Sequence, residues 1–312
     1  MILVAIPAAA LAAVTLAAFF GRWVWWLDVL ANFRAQYVVI LAILGLVVAM
    51  SRWRKTGYAI LGVALVNLVV VIPLFIGSPA DARVDADTIR VMSFNLLSDN
   101  EQYSEVIDYI RTVDPDLVLL HEASRPWEVA IGSAELEYQV VRARSDDLIF
   151  GTLVLVRGEG ITAVSHGFAS RAARAVALDY TPHGWDVPLA VLGTHPLAPT
   201  DQERADLRDA QLDFAGDWAS EQSGAFIVVG DFNATPWSWP FRRLKSAAEL
   251  ENSQTGFGLQ PSYATSSNLL LRIPIDHLLH SSALEVTGRQ LGPALGSDHF
   301  PLVVDLQVSA GT

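Results

Sequence analysis

The stretch FIVVGDFNATPWS, Phe226 to Ser238, decides how this chain is read. Its first four residues are apolar and mostly β-branched, a run of strand length with no polar face, as in a strand covered on both sides. Gly230 closes the run and Asp231-Phe232-Asn233 follows. Asp and Asn are common turn formers. A polar side chain at the end of a buried strand is also held on rigid support at the rim of a sheet, where chemistry is often placed. Beyond it, Thr235 can cap a helix and Pro236 suits a first helical turn, which predicts a helix over Pro236–Ala247.

The same pattern recurs on both sides. Ile89–Phe94, Leu117–His121, Leu148–Val156, Ala175–Tyr180, Val187–Thr194, Ile275–His280 and Leu302–Val308 read as strands, several almost wholly apolar. Ser104–Val113 and Gln202–Ser220 read as helices. The alternation predicts a layered α/β domain with mixed sheets. Polar residues stand at the strand ends: Asn95, Glu122, His195, Asp231 with Asn233, Asp276-His277 after Ile275, and Asp298-His299 before the last strand. Singly, each has an ordinary reading. Asn95 is a turn residue, Glu122 a solvated acid, His195 before Pro196 a satisfied strand-end histidine, Asp298 a cap. Their occurrence together and in order argues for one site.

Ahead of Ile89 the chain changes character. Met1–Phe20 carries no charge and is about as long as a bilayer-crossing helix. Ala35–Met50 is a second, shorter apolar run, and Gly57–Ile76 a third, interrupted only by Asn67 and Pro73. Three transmembrane helices are predicted, in a membrane domain of residues 1–76. A cleaved signal peptide plus a buried hairpin fits less well, because the first run lacks a basic start and two more follow. Ser51–Thr56 carries Arg52, Arg54 and Lys55, and basic loops stay in the cytoplasm. The predicted topology has a cytoplasmic N-terminus and places all that follows the third helix in the periplasm or outside the cell. Trp23, Trp25, Trp26 and Trp53 suit the headgroup level. Gly77–Thr88 (GSPADARVDADT) reads as a linker, leaving 89–312 as the globular domain.

Composition bounds the rest. At 52% hydrophobic residues and mean hydropathy +0.36, the 312-residue chain is too apolar for disorder. Residues 1–80 hold five basic residues against one acid, net +4; the remainder, 16 basic against 32 acidic, is net −16. Cysteine is absent, which excludes disulfides, thiolate catalysis, iron–sulfur clusters and cysteine-ligated zinc.

Seven stretches in order, SFNLL (Ser93–Leu97), LLHE (Leu119–Glu122), FGTLVLVR (Phe150–Arg157), THP (Thr194–Pro196), GDFNATPWS (Gly230–Ser238), IDHLL (Ile275–Leu279) and GSDHFP (Gly296–Pro301), resemble the endonuclease/exonuclease/phosphatase superfamily, the DNase I-like fold. The resemblance covers essentially all of Ile89–Val308. GDFNATPWS followed by PIDHLL and GSDHFP resembles its membrane-anchored bacterial branch, which places the chain in a bacterial inner membrane. The fold implied is a two-sheet β-sandwich flanked by helices, with the site at one rim; the activity implied is that of a phosphoric ester hydrolase. Two departures stand out. His121 occupies a place where many members have Gln. Pro261-Ser262-Tyr263 stands where related proteins often have Pro-Thr-Trp, which bears on the substrate pocket.

Phosphate ester hydrolysis needs charge neutralisation, an oriented water and help for the leaving oxygen. By resemblance, Glu122 is the primary ligand of Mg²⁺ or Mn²⁺, and Asp298 and Asn95 complete the shell directly or through water. Such a hard cation prefers oxygen donors, and neither HExxH nor a Cys/His cluster points to zinc. Asp231 orients or deprotonates the attacking water, and Asn233 donates to a phosphate oxygen or holds Asp231. His195 and His299 donate to the non-bridging oxygens, and Asp276 fixes the tautomer of His299. Whether Asp231 or His299 is the base stays open. His121, His166, His183, His277 and His280 carry no assigned catalytic role. Arg208 and Gln211 read as a solvated helix face rather than as site residues.

The substrate follows from charge and place. A domain of net −16 with one lysine, Lys245, opposes a polyanion at long range, so duplex DNA is disfavoured. A membrane tether favours a phosphate ester found at that surface, lipid-linked or small and exported, with membrane lipids as neighbours. Trp237, Trp239 and Phe241, close after GDFN, read as core before they read as lipid contacts. A nuclease of the same chemistry and a non-catalytic membrane binding or assembly protein are the alternatives. No feature names a protein partner.

Overall fold

The computed structural model describes residues 2–83, 87–143, 151–167, 174–265 and 268–310. The N-terminal part is helical: α1 (Ile2–Ala17), α2 (Trp25–Ala31), α3 (Arg34–Ala49) and α4 (Arg54–Val71), with tighter turns continuing α1 to Phe20 and α4 to Phe75. α1, α3 and α4 pack around Ala8, Ala12, Leu41, Val48, Ile60 and Ala64, the alanines letting the helix backbones approach while the larger residues fill the space between them. Two segments, Leu3–Phe20 and Arg54–Phe75, are long and apolar enough to cross a membrane. The third expected run does not reach that length alone. α3 has 16 residues, about 24 Å of helix, and reaches it only together with α2, from which it is bent by 66°. The chain bends there because Asp28 and Asn32 on α2 are engaged by the globular domain.

That domain follows as β1 (Thr88–Asn95), α5 (Tyr103–Val113), β2 (Leu117–His121), α6 (Arg125–Ser133), β3 (Gln139–Ala143), β4 (Thr152–Val156), β5 (Glu159–Gly167), β6 (Arg174–Thr181), β7 (Leu189–Thr194), α7 (Gln202–Ser220), β8 (Ala225–Asp231), α8 (Trp239–Ala247), β9 (Glu251–Asn252), β10 (Asp276–His280), β11 (Leu284–Leu291) and β12 (Leu302–Val308). Two six-stranded mixed sheets form, ordered β11-β12-β1-β2-β4-β3 and β5-β6-β7-β8-β10-β9. Among the described residues only β1–β2 and β7–β8 pair in parallel.

The apolar strands are explained by the layers. Val91, Leu119, Val154, Val191, Ile227 and Val229 point between the sheets. Their neighbours Met92, Phe94, Val118 and Leu120 meet α5 and α6, while Leu192, Phe226 and Val228 meet α7 and α8. Alternate side chains of each central strand therefore enter different cores. Each buried Val or Leu contributes about 1.5–3 kcal/mol.

The structure corrects several boundaries. α8 starts at Trp239 rather than Pro236, because residues 235–238 form a turn in which Ser238 N donates to the Thr235 carbonyl (3.0 Å). Ser238 takes the cap position and Pro240 the first turn. β4 starts at Thr152; Leu148–Phe150 of the expected strand, with the Phe150 of FGTLVLVR, lie outside the described residues. β3, β5, β11 and α6 were not expected. β5 is exposed along most of its length, so it lacks the apolar run by which a strand is recognised.

The helical part is fastened to the globular one. Asp28 on α2, almost fully buried, accepts from Trp239 N (2.6 Å) and from Arg208 Nη2 on α7 (3.2 Å). Thr235 Oγ1 donates to Asn32 Oδ1 (3.0 Å), and Gln36 Nε2 on α3 donates to the Arg272 carbonyl (2.8 Å). The Leu74 carbonyl accepts from Gly256 N and Gly258 N. Trp237 packs with Ala18, Ala31, Val71 and Leu74. The stretch expected as a linker is also engaged: Ala80 N donates to the Val286 carbonyl (2.9 Å) and the Asp81 carbonyl accepts from Gln307 Nε2 (3.2 Å). Its residues 84–86 lie outside the described residues.

Candidate active site

Strand direction brings the polar ends together. The parallel strands β1, β2, β7 and β8 finish at Asn95, His121, Thr194 and Asp231. Antiparallel β10 starts at the same rim, with Asp276 paired in register to Asp231. β12 runs antiparallel to β1, so His299, just before it, arrives there too. Residues scattered over two hundred positions thus meet at one edge of both sheets.

A chain of short contacts links them. His299 Nδ1 lies 2.8 Å from Asp276 Oδ2, and His299 Nε2 is 3.6 Å from Asp231 Oδ2. His195 Nε2 is 3.4 Å from the same oxygen and 3.8 Å from Glu122 Oε1. Asn95 Nδ2 donates to Asp231 Oδ2 and to Glu122 Oε1, both at 3.1 Å, so it bridges the two sheets. Its Oδ1 accepts from Leu97 N, which places Asn95 as an orienter of two carboxylates; direct ligation of a cation would need the amide turned over. Asn233 N donates to Asp231 Oδ1 (2.9 Å) and Asn233 Nδ2 to the Pro196 carbonyl (3.0 Å), so Asn233 ties the loop after β8 to the loop after His195. Asp298 is the most exposed member, with Oδ1 4.0 Å from His299 Nε2.

The backbone is shaped for this. Glu122 and Asn233 both have positive φ (54° and 48°), an uncommon conformation that commonly marks functional turns. Gly230 (φ 145°) admits no side chain: a Cβ there would run into the Thr194 carbonyl and crowd His121 Nε2.

Electrostatics separates the roles of the charged groups. Burial opposes a charged imidazole at His299, but Asp276 and Asp231 outweigh it and push the pKa up to about 10. At His195 burial is likewise overcome, by Asp231 and then Glu122, and the shift is upward. Burial would raise Asp231, yet His299, His195 and the Asn233 N–H hold it well below the usual carboxylate range. An ionised carboxylate therefore sits between two imidazoles whose charged forms it favours. Asp298 is pushed up by burial, and the negative charges of Glu122 and Asp231 add to this against His299. His121, buried behind the site with Nδ1 3.3 Å from Thr152 Oγ1, is pushed down to about 3 by burial and stays neutral.

Several supporting residues were not legible as such. Ser262 Oγ accepts from Ile275 N and Asp276 N, and Arg289, buried, reaches the Asp276 carbonyl at 3.4 Å. Ser297, within GSDHFP, donates to the Asn95 carbonyl (2.7 Å) and accepts from His299 N (3.0 Å). Tyr263 lies with its ring 5.0 Å from that of His299. Arg208 and Gln211 are not a solvated face: both are 1% exposed. Gln211 Nε2 donates to Thr194 Oγ1 (2.8 Å), and Arg208 Nη1 reaches the Asn233 carbonyl (3.4 Å). His277, as expected from its face, stays out of the catalytic chain. It lies against Phe232 and Phe241, with Nε2 2.8 Å from the Ala234 carbonyl.

Two donor sets here have the chemistry to hold a cation. Asp231, Asp276 and His299 offer atoms within 4.8 Å of one another, all buried. Glu122 and Asp298, less buried members of the same rim, offer oxygen donors alone, the kind a hard divalent cation prefers.

A profile of the Endonuclease/Exonuclease/phosphatase family matches residues 92–299, which takes in every residue of this rim. The chain belongs to that family. Its members are mostly hydrolytic phosphoesterases, which identifies the chain as an enzyme of phosphoesterase or nuclease type. The fold is similar to that of an endonuclease/exonuclease/phosphatase from Bacteroides vulgatus, at TM-score 0.61 and 16% identity over 72% of this chain and 100% of that one. It is also similar to the human Nocturnin catalytic domain with bound sulfate anion (TM-score 0.57, 21% identity, 76% and 99%) and to truncated Caenorhabditis elegans TDP2 (TM-score 0.57, 16%, 71% and 98%). No curated protein matches the chain.

Proposed function

We propose that the chain is a membrane-anchored, Mg²⁺- or Mn²⁺-dependent phosphoesterase acting on a lipid-linked or small exported phosphate ester. The observation that carries the chemistry is the continuous chain Asp276–His299–Asp231–His195, with Glu122 and Asp298 beside it. Glu122 and Asp298 are the residues that would hold the cation, with Asn95 orienting Glu122. When bound, the ion supplies neutralisation of phosphate charge.

The side chains would do the rest. His299 and His195, both held towards the protonated form, donate to the non-bridging oxygens as charge builds there. Asp231, ionised between them, accepts a hydrogen bond from water and aims it at phosphorus; its depressed pKa suits orientation better than outright deprotonation. His299, protonated near neutral pH, serves as an acid rather than as the base. Asp276 fixes the ring of His299, and Asn233 holds Asp231.

The anchored reading takes α1, α3 and α4 as three crossings and is supported by the two segments, Leu3–Phe20 and Arg54–Phe75, that are long and apolar enough to span. The end of α1, the start of α3 and the end of α4 all lie on the side that contacts the globular domain, through Trp237, Arg272 and Gly256. The exposed Arg52, Arg54 and Lys55 sit in the turn at the far end of α3 and α4. By the positive-inside rule that turn is cytoplasmic, and the active rim lies in the periplasm or outside the cell, as in a bacterial inner-membrane protein.

The test is a panel of phosphate mono- and diesters, with single- and double-stranded DNA, assayed on the full chain with and without Mg²⁺ or Mn²⁺. Metal-dependent turnover of an ester, together with metal-induced thermal stabilisation that Glu122→Gln abolishes, supports the reading. Turnover of DNA alone replaces it with the nuclease reading. Cellular function that survives Glu122→Gln makes the fold a binding module.

A further inference from the structure

Three consecutive leucines, Leu269, Leu270 and Leu271, form a short turn on the surface and are 73%, 51% and 53% exposed. A contiguous apolar surface of this kind marks an interaction site. The turn stands beside the first turns of α3, to which the next residue is tied by the bond from Gln36 Nε2 to the Arg272 carbonyl. Between α3 and this segment lies a cavity of about 190 Å³. Ala35 and Val39 form one wall; Trp237, Leu259, Leu269 and Pro274 form others. A cavity of about 150 Å³ holds a benzene ring, so this slot has room for a stretch of hydrocarbon against its mostly apolar lining, with Gln36 and Arg272 as its polar members.

What occupies it follows from where it opens. Val39, in its wall, begins the exposed row Val39, Ile43, Leu46 and Val47 on α3. The spacing i, i+4, i+7, i+8 puts these on one side of the helix, the side a spanning helix turns to lipid. The slot is therefore continuous with a lipid-facing surface, at the end of α3 nearest the globular domain. Its opposite wall belongs to the active rim. Pro261, in that wall, precedes Ser262, which holds Asp276 N, and Tyr263, whose ring faces His299. Pro274 lies two residues before Asp276. Arg272, also lining the slot, stacks its guanidinium 5.2 Å from the ring of Phe300, the neighbour of His299.

We propose that the slot between α3 and Pro261, Leu269 and Pro274 binds a hydrocarbon chain of a membrane lipid, with Leu269–Leu271 set into the bilayer surface, and so presents a lipid-borne phosphate to the rim. This rests on the phosphoesterase reading and narrows its substrate to a lipid phosphate ester.

The experiment uses the full chain in vesicles of phosphatidylethanolamine and phosphatidylglycerol. Because cysteine is absent, Leu270→Cys offers a single site for an environment-sensitive fluorophore. Blue-shifted emission that is quenched by lipids carrying a nitroxide on the acyl chain is expected. Emission that is water-like, or shielded from iodide yet unquenched by the lipid nitroxide, overturns the proposal; the second result assigns the face to a protein partner or a second copy. Activity gives an independent arm. Replacing all three leucines by serine (L269S/L270S/L271S), or narrowing the slot with Ala35→Phe, should lower turnover of vesicle-borne phosphatidic acid or phosphatidylglycerol by about tenfold or more. Turnover of soluble 4-nitrophenyl phosphate or its bis-ester should stay unchanged. Equal loss on both classes, or no loss on either, overturns the slot while leaving the phosphoesterase reading intact. Wild-type protein inert towards every ester with metal present defeats that reading, and the quenching result still decides whether the leucines meet lipid.

Discussion

Two buried ionic clusters lie a few residues apart along the loop after β8, and they differ in how fully their carboxylates are paired. At the helical junction, Asp28 meets Arg208, and both of its oxygens are satisfied, one by that guanidinium and one by Trp239 N. At the rim, four carboxylates (Glu122, Asp231, Asp276, Asp298) face two histidines, and one oxygen of Asp276 has no hydrogen-bond partner among the described residues. The first cluster is closed on itself and reads as structure. The second has acid to spare, at positive-φ turns, and reads as a place that receives something. Arg208 is shared with the part-exposed Asp209 (2.8 Å), so both clusters are acid-rich; what separates them is that the buried carboxylate of the first is paired at both oxygens and Asp276 of the second is not.

The largest expected effect lies at the rim. Asp231→Asn removes the negative charge between His195 and His299 while keeping the shape. Loss of the group proposed to orient the attacking water should lower kcat by about a hundredfold to ten-thousandfold, with the circular dichroism spectrum unchanged. Turnover near wild type would remove the distinction between the clusters.

At the junction the same kind of change should be felt in stability. Arg208→Met leaves Asp28 buried without its cation and should cost about 3–5 kcal/mol in chemical denaturation. Adding Asp28→Asn should recover part of that loss, because no unpaired charge then remains. A double variant as unstable as the two single losses added together would show that the pair is not a self-contained unit.

A smaller effect concerns the histidines that belong to neither cluster. His277 is pushed down to about 3 by burial, against an ordinary value near 6.5, so it is neutral in the folded domain and protonates on unfolding. Its contribution is therefore complete above about pH 6.5 and is lost as pH falls from there towards 3. The limiting slope is about 1.4 kcal/mol per pH unit for one proton. His277→Gln, which can still donate to the Ala234 carbonyl, should flatten the acid limb of the stability–pH profile by up to that amount. His121, pushed down to the same range, leaves a residual slope of its own.

These contrasts also show where sequence reading works. The central strands were legible because they are covered on both faces, so an unbroken apolar run is their only possible composition. The rim residues were legible because each terminates such a run. Their convergence, however, came from the order of the motifs as a family resemblance; strand lengths alone do not say that Asp276 and Asp231 share a register. Edge strands such as β5 escaped because exposure removes the apolar signal. α2 escaped for a different reason. Trp25-Trp26-Leu27-Asp28 looks like an interfacial anchor with a stray acid, and nothing near it announces that its partner is Arg208, on a helix 180 positions later. Long-range pairing of lone charges leaves no local trace.

The junction has a practical corollary for anyone who would trim the chain to its hydrolytic half. A protein begun near Ala80 would leave Arg208 with Asp209 but without its buried carboxylate, Thr235 and the Leu74-binding amides of Gly256 and Gly258 without these partners, and Trp237 stripped of its helical neighbours. Such a fragment would be sticky and loosened just behind Asn233, so poor turnover from it would speak of the cut rather than of the enzyme. Purification in detergent or nanodiscs, with every helix retained, is the preparation on which assays can be trusted.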